Sequence, residues 1–139
     1  MRILLLFFGL FFLTGVSVLD GTMPIKEGVQ GRLHALAQQD HFAADGMLYT
    51  GVQDPVQRKR LNAQVFLSIQ KFKVAYQNNA SKQAYLTLLA SEIATYPRAD
   101  TEDAERVAMV FEKMRDCVGL ESSNGILNTW MYGFDPDSP

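Results

Sequence analysis

The sequence predicts an all-α protein: a small four-helix bundle with a short additional C-terminal helix docked on it. Three observations predict this fold class. Apolar residues recur at helical spacing in four successive segments, Gly, Pro, Asn and Asp separate those segments, and no alternating run indicates a β-strand. With 47% hydrophobic and 20% charged residues in a chain of 139, the composition is that of one globular domain with its own core.

The N-terminus has the three parts of an export signal. A short positive region precedes an apolar run over residues 3–13, and small residues suited to signal peptidase follow at 14–17. We therefore expect residues 1–18 to be a signal peptide and residues 19–139 to be a single helical domain, exported to the periplasm or secreted. The alternative is an uncleaved membrane anchor running on to Leu19, which is shorter than the roughly 20 residues that a spanning helix needs.

The first helix is predicted to begin near Pro24 and to be followed by a loop over residues 40–52. One apolar stripe defines this helix: Ile25, Val29, Leu33 and Leu36. In the loop the helical spacing lapses, and Gly46 and Gly51 punctuate the chain. We expect four large apolar side chains to pin this loop onto the bundle: Phe42, Met47, Leu48 and Tyr49.

The longest helix is predicted between Asp54 and Asn79, with Asp54 as its cap and Pro55 in its first turn. Its apolar residues form two stripes on nearly opposite sides. The first stripe is Leu61, Val65, Ile69, Phe72 and Tyr76, and the second is Val56, Ala63, Leu67 and Val74. Because a surface helix needs only one apolar stripe, we expect this helix to lie at the centre of the bundle, covered on both sides.

Two further helices and the tail complete the bundle. A third helix is predicted over residues 80–95, stopped by Pro97, and a fourth runs from Asp100 to Gly119. The fourth helix has one apolar stripe: Val107, Val110, Phe111, Met114 and Val118. In the tail, we expect Ser123 to cap a short helix that ends at Gly133 and docks across the bundle.

The sequence contains no constellation that predicts catalysis, a metal site or a cofactor. No serine lies in a G-x-S-x-G turn, and no phosphate-binding glycine loop is present. The only histidines, His34 and His41, are seven residues apart, whereas a metal held on one helix face needs ligands three or four apart. The lone Cys117 falls at a helix C-terminus, where the helix dipole opposes thiolate formation, and is predicted to be a structural thiol.

Two clusters are candidate binding residues. The first is aromatic and lies in the tail: Trp130, Tyr132 and Phe134. Core closure would explain these side chains as well, but tryptophan and tyrosine also dominate binding hot spots. The second is basic and opens the longest helix, where positive charge opposes the helix dipole: Arg58, Lys59 and Arg60. A solvated cluster is the alternative to an anion or acidic partner there.

We expect a small exported protein that acts by binding another protein, in the manner of a periplasmic inhibitor, immunity or accessory factor. A formal net charge of −2 argues against a nucleic-acid partner. A membrane partner is expected only through a retained N-terminal segment. Two alternatives stay open: a hydrolytic enzyme that combines His34 or His41 with Asp45 or Glu27, and a small-ligand site inside the bundle beneath Trp130.

Overall fold

The computed structural model describes residues 28–98 and 100–137, and within them the chain forms five α-helices and no strand. The predicted all-α fold class is confirmed. The predicted signal peptide, residues 1–18, lies outside the described residues. Across the described part of the chain, no helix is both long and apolar enough to cross a membrane. The helices are α1 (Val29–Ala37), α2 (Pro55–Gln77), α3 (Lys82–Ile93), α4 (Thr101–Val118) and α5 (Ile126–Tyr132).

Side-chain caps set the start of three helices. Asp54 accepts a hydrogen bond from a first-turn backbone N–H of α2 at 2.9 Å, and Ser81 and Asp100 do the same for α3 and α4 at 3.1 Å. Each bond satisfies an N–H group that the first helical turn leaves without an intrahelical partner. At the other end, α4 stops as predicted at Gly119, whose φ of 81° is in the left-handed region.

The bundle is built around α4, which packs against each of the other four described helices. Its predicted apolar stripe is buried throughout: Val107, Val110, Phe111, Met114 and Val118. The tail docks as predicted, because α5 packs against α3 and α4. The expected cap at Ser123 is wrong, since α5 begins after Gly125, which has a φ of 77° and makes no side-chain cap bond.

The predicted central position of α2 is wrong. Its first stripe is buried, with Leu61, Val65, Ile69 and Phe72 all inside the core. Its second stripe faces solvent: Val56 is 65% exposed, Leu67 61% and Val74 53%. An apolar pattern indicates which side chains gain from leaving water, but it does not say which molecule covers them. The helix therefore lies at the edge of the bundle with one apolar face open.

Only two of the four apolar side chains that were predicted to pack the loop between α1 and α2 onto the bundle do so. Phe42 and Tyr49 are buried, but Met47 and Leu48 point outward and are 87% and 89% exposed. The loop closes on itself through a backbone hydrogen bond from Val52 N–H to the Phe42 carbonyl at 2.9 Å. A loop closed by this bond therefore carries two large apolar side chains into solvent.

A polar network crosses the core between α2 and α3. The buried Ser68 hydroxyl donates to the Glu92 carboxylate at 2.9 Å and accepts from the Tyr96 hydroxyl at 3.0 Å. Lys71 forms an ion pair with the other Glu92 oxygen. Because every member has a partner, the network fixes how α2 sits on α3 without leaving a buried polar atom unsatisfied.

Candidate functional site

The tip of the loop between α1 and α2 presents Met47 and Leu48 on a fixed backbone turn. The Asp45 carboxylate accepts hydrogen bonds from the backbone N–H groups of Met47 at 2.9 Å and Tyr49 at 3.1 Å. The turn requires a glycine at position 46, where φ is 76°. Since the backbone is held on both sides of the tip, its two apolar side chains stay in solvent rather than folding back on the core.

Tyr49 and Arg106 anchor this loop to α4. The Tyr49 hydroxyl donates to the Asp103 carboxylate at 2.6 Å, and the Arg106 guanidinium lies 4.2 Å from the centre of the Tyr49 ring. Arg106 also pairs with Asp45 at 2.7 Å. Burial, together with the bond to Asp103, raises the pKa of Tyr49. The backbone N–H of Met47 and the Arg106 guanidinium lower the pKa of Asp45. The loop tip is therefore held by ionic and cation–π contacts on the α4 surface.

A groove continues from this loop along the outer face of α4 to α5; we name it the α4–α5 groove. It consists of two depressions of about 290 Å³ and 190 Å³, which share Glu105 and Met109. The first lies between the loop and α4, and the second between α4 and α5. Its lining includes apolar side chains and carboxylates that form no ion pair with a described residue: Leu48, Glu102, Glu105, Met109, Glu112, Leu127, Met131 and Tyr132.

The groove combines adaptable apolar side chains with negative charge. Met109 is 43% exposed on α4, and Met131 on α5 lines the second depression. Flexible thioether side chains suit a surface that adjusts its shape to a partner. Three carboxylates border these methionines without an ion pair to any described residue: Glu102, Glu105 and Glu112. A segment with apolar side chains and positive charges matches this surface in both respects.

The structure divides the predicted aromatic cluster of the tail. Trp130 packs against the core, and the Arg98 guanidinium lies 5.9 Å from its ring centre. Tyr132 and Phe134 are 57% and 62% exposed, and their ring centres are 6.5 Å apart. Tyr132 lines the α4–α5 groove, whereas Trp130 does not. Of these three aromatic side chains, therefore, one packs on the bundle and two lie on its surface.

The predicted basic cluster on α2 lies apart from the aromatic residues of the tail, because α2 and α5 are not in contact. Arg58 is committed to an ion pair with Asp40, to which its Nε donates at 2.9 Å. Asn62 donates to the same carboxylate at 2.7 Å, and the Arg58 bond, with help from Asn62, lowers the pKa of Asp40 to about 2. Lys59 and Arg60 are exposed. Arg58 and Lys59 line one depression together with Asp40, and Arg60 is not among its lining residues.

The two histidines lie in different environments. His41 is buried, and its ring Nε2–H donates to the Leu36 carbonyl at 2.9 Å, while its backbone N–H donates to Asn62 at 3.0 Å. Burial lowers the pKa of His41, so that its neutral form is favoured in the fold. His34 is exposed on α1, and Glu27 lies outside the described residues. Among the described residues, no group of three or more His, Cys, Asp or Glu side chains could hold a metal ion.

Sequence reasoning missed most of the groove. Met109 and Met131 have no local signal, because their exposure depends on how α4 and α5 pack. The sequence does carry a signal for the loop tip. Met47 and Leu48 directly follow a turn glycine, a position that presents side chains outward as readily as inward, so the prediction that both pack on the bundle did not follow from it. Glu102 and Glu105 lie near the start of α4, where the helix dipole favours acidic residues whether or not they bind anything, so their place beside the groove has no signal of its own in the sequence.

Within residues 28–98 and 100–137, the fold is that of a small all-α protein in which one helix, α4, packs against four others. A family model described as "Domain of unknown function (DUF4844)" matches residues 23–135, and the chain therefore belongs to the DUF4844 family. The chain is also similar to a DUF3571 family protein from Acinetobacter baumannii AYE, known from a crystal structure. That match has 48% sequence identity and a TM-score of 0.71, and it covers 76% of this chain and 89% of the other. No curated protein matches the chain.

Proposed function

We propose that this protein acts by binding another protein, and that the α4–α5 groove with the loop tip is the binding surface. The observation that supports this most strongly is the loop tip itself. Met47 and Leu48 are almost fully exposed although their backbone is held in place. An exposed pair of large apolar side chains on a fixed turn costs solubility, and a partner that covers it removes that cost. Pre-organised side chains of this kind lose little entropy on binding.

The shape of the groove favours a protein segment over a small molecule. Its two depressions, about 290 Å³ and 190 Å³, are shallow and adjoin one another along α4. Small-molecule sites are usually single clefts of roughly 300 to 1,000 Å³ that enclose most of the ligand. Successive side chains of an amphipathic helix, spaced three or four residues apart, suit two adjoining depressions.

The charge of the groove supports a partner with positive charge. Glu102, Glu105 and Glu112 leave negative charge along one side of the apolar surface. A partner segment with lysine or arginine beside its apolar residues would be attracted during approach and held in one register. Because these carboxylates are exposed, we expect the affinity to fall as ionic strength rises.

Export is the second part of the proposal. An N-terminal apolar run that ends in small residues supports it, as does a single cysteine in a domain stabilised by its core. In that location the protein would act as an inhibitor, immunity or accessory factor. Fractionation of cells that express the full-length gene tests this part: we expect the processed chain in the periplasmic or secreted fraction.

Calorimetric titration with two designed helical peptides tests the groove. One peptide places leucine on one face and lysine on the other, and its control has glutamate in place of each lysine. We expect the lysine peptide to bind at least about tenfold more tightly than the glutamate peptide. Leu48→Ser should weaken that binding, while Leu67→Ser, a matched change of an exposed leucine on α2, should not. Equal affinity for both peptides, or equal effects of the two substitutions, would contradict the proposal.

A further inference from the structure

The outer face of α2 carries an apolar stripe that nothing in the described part of the chain covers. Val56, Leu67 and Val74 are more than half exposed, and Ala63 is exposed between them. The stripe extends over residues 56–74, about 27 Å along the helix axis. The exposed Phe66 widens it near its middle. A continuous patch of this length on a small protein marks an interaction surface rather than scattered surface residues.

The stripe is symmetric about its own centre. Its residues are spaced by seven, four and seven positions, so residue 65 lies midway between both the inner and the outer pair. If a second copy of α2 packs antiparallel, with the twofold axis at the level of residue 65 along the helix, Val56 meets the partner subunit's Val74. Ala63 then meets the partner subunit's Leu67, so that a small side chain faces a large one. Such pairing of small and large residues fills a helix–helix interface without voids.

The polar positions within the stripe obey the same symmetry. Arg60 and Gln70 lie equally far from residue 65, so each Arg60 meets the partner subunit's Gln70. An arginine opposite a glutamine can hydrogen-bond, whereas a parallel arrangement would place Arg60 against its own copy. Charge and polarity therefore favour the antiparallel arrangement over the parallel one.

The ends of α2 give a second, independent reason. The helix has no acidic residue in its first turn and no basic residue in its last, and Lys59 and Arg60 stand near its positive end. Within one chain this is unfavourable. In an antiparallel pair, the basic N-terminal end of each helix lies beside the negative backbone dipole at the C-terminus of the other, whereas a parallel pair would place the two basic ends together.

We propose that the outer face of α2 is a self-association surface, and that two copies of the protein pair through antiparallel α2 helices whose twofold axis lies at the level of residue 65 along the helix. The four exposed apolar side chains are smaller than aromatic residues, which bury about 150 to 250 Å² each, so together they offer at most roughly 400 Å² per copy. With the flanking polar side chains this lies at the low end of specific interfaces, so we expect a dissociation constant in the micromolar range or weaker. No residue of the α4–α5 groove belongs to α2, so this proposal can be tested independently of the proposed function.

The arrangement also predicts an unusual salt dependence. Lys59 on one copy lies near the partner subunit's Lys73, and symmetry repeats this like-charge pair. Salt screens such a repulsion. Dimerisation should therefore strengthen as ionic strength rises, opposite to the trend expected for peptide binding in the acidic groove.

Cysteine crosslinking of the full-length protein tests the register. In Phe66→Cys the two introduced thiols lie close together near the axis, whereas in Val56→Cys they are about 27 Å apart. With a short bismaleimide reagent, and the parent chain as the control for Cys117, we expect at least tenfold more crosslinked dimer from Phe66→Cys than from Val56→Cys. Equal crosslinking of the two variants would indicate a parallel or random encounter and would overturn the proposal.

Sedimentation velocity over a range of concentrations tests the association itself. We expect the parent chain to show a concentration-dependent dimer that Leu67→Glu weakens at least about tenfold, because glutamate would be buried opposite the partner subunit's Ala63. Leu48→Glu, on the groove side, should leave the dimer unchanged, and a melting curve confirms that both variants fold. A monomer at every concentration would overturn the proposal, whether the chain's own N-terminal segment or another protein covers the stripe.

Discussion

The two longest helices, α2 and α4, differ in how their apolar residues are used. α4 has one apolar stripe, packs against every other described helix and buries that stripe completely. α2 has two stripes but lies at the edge, with Leu67 and Val74 in solvent. The number of apolar stripes on a helix therefore does not predict whether that helix lies at the centre of the bundle. The second stripe of α2 is an apolar surface that no described part of the chain covers, and a second molecule can pack against it.

The sharpest way to test this contrast is to shorten one side chain on each helix. Phe111→Ala on α4 should lower the free energy of unfolding by about 3 to 5 kcal/mol, because it leaves a cavity in the core. Leu67→Ala on the open face of α2 should change it by less than about 0.5 kcal/mol at low protein concentration. Urea unfolding followed by circular dichroism measures both. Similar losses for the two variants would mean that the outer face of α2 is covered within the chain.

The polar network that holds α2 onto α3 should be the next most sensitive feature. Glu92→Ala removes the acceptor of the buried Ser68 hydroxyl, and we expect a loss of about 2 kcal/mol in the free energy of unfolding. Glu112→Ala, an exposed carboxylate on α4, is the matched control and should cost less than about 0.5 kcal/mol. If Glu92→Ala were as mild as its control, this network would not be what fixes α2 in place.

The two histidines give a smaller, pH-dependent contrast. Burial lowers the pKa of His41 in the fold below its ordinary value of 6.5, so the unfolded chain binds a proton more readily. The stabilisation is fully present above pH 6.5 and declines as the pH falls from there through the folded-state pKa. The slope cannot exceed about 1.4 kcal/mol per pH unit for one proton. We expect His41→Gln to flatten the stability profile between pH 7.5 and 5.5 as measured by urea unfolding, and His34→Gln, a change of an exposed histidine, is the control for substitution at the surface.

The smallest effect is expected at the exposed ion pair that links the loop to α2. Arg58 lowers the pKa of Asp40 from 3.8 to about 2, so this contact contributes above pH 4 and is lost as the pH falls towards 2. Both side chains are about 40% exposed, and solvent screening makes the contribution small. Acid unfolding of Asp40→Asn beside the parent chain should show a slight loss at pH 7 that vanishes near pH 2. A loss that persists at pH 2 would point to packing instead of charge.

What the sequence predicted correctly depended on local signals. The stripe of α4 and its stop at Gly119, like the Asp54 cap of α2, follow from periodicity and turn chemistry within a few residues. The errors concern whole-molecule packing. Hydrophobicity alone placed Met47 and Leu48 against the bundle, whereas the Asp45 turn directs them outward. Of the candidate binding residues, Tyr132 lines the α4–α5 groove. Trp130 packs against the core and Arg58 forms an ion pair with Asp40.

The methionines allow the account to be tested without any substitution. Met47, Met109 and Met131 lie on the loop tip and the α4–α5 groove, while Met114 is fully buried on the opposite face of α4. In a chain labelled with ¹³C at the methionine methyl groups, the lysine-and-leucine helical peptide should shift the signals of the first three residues and leave that of Met114 in place. Unmoved signals at all three, or equal shifts with the glutamate peptide, would contradict the assignment of this surface to partner binding.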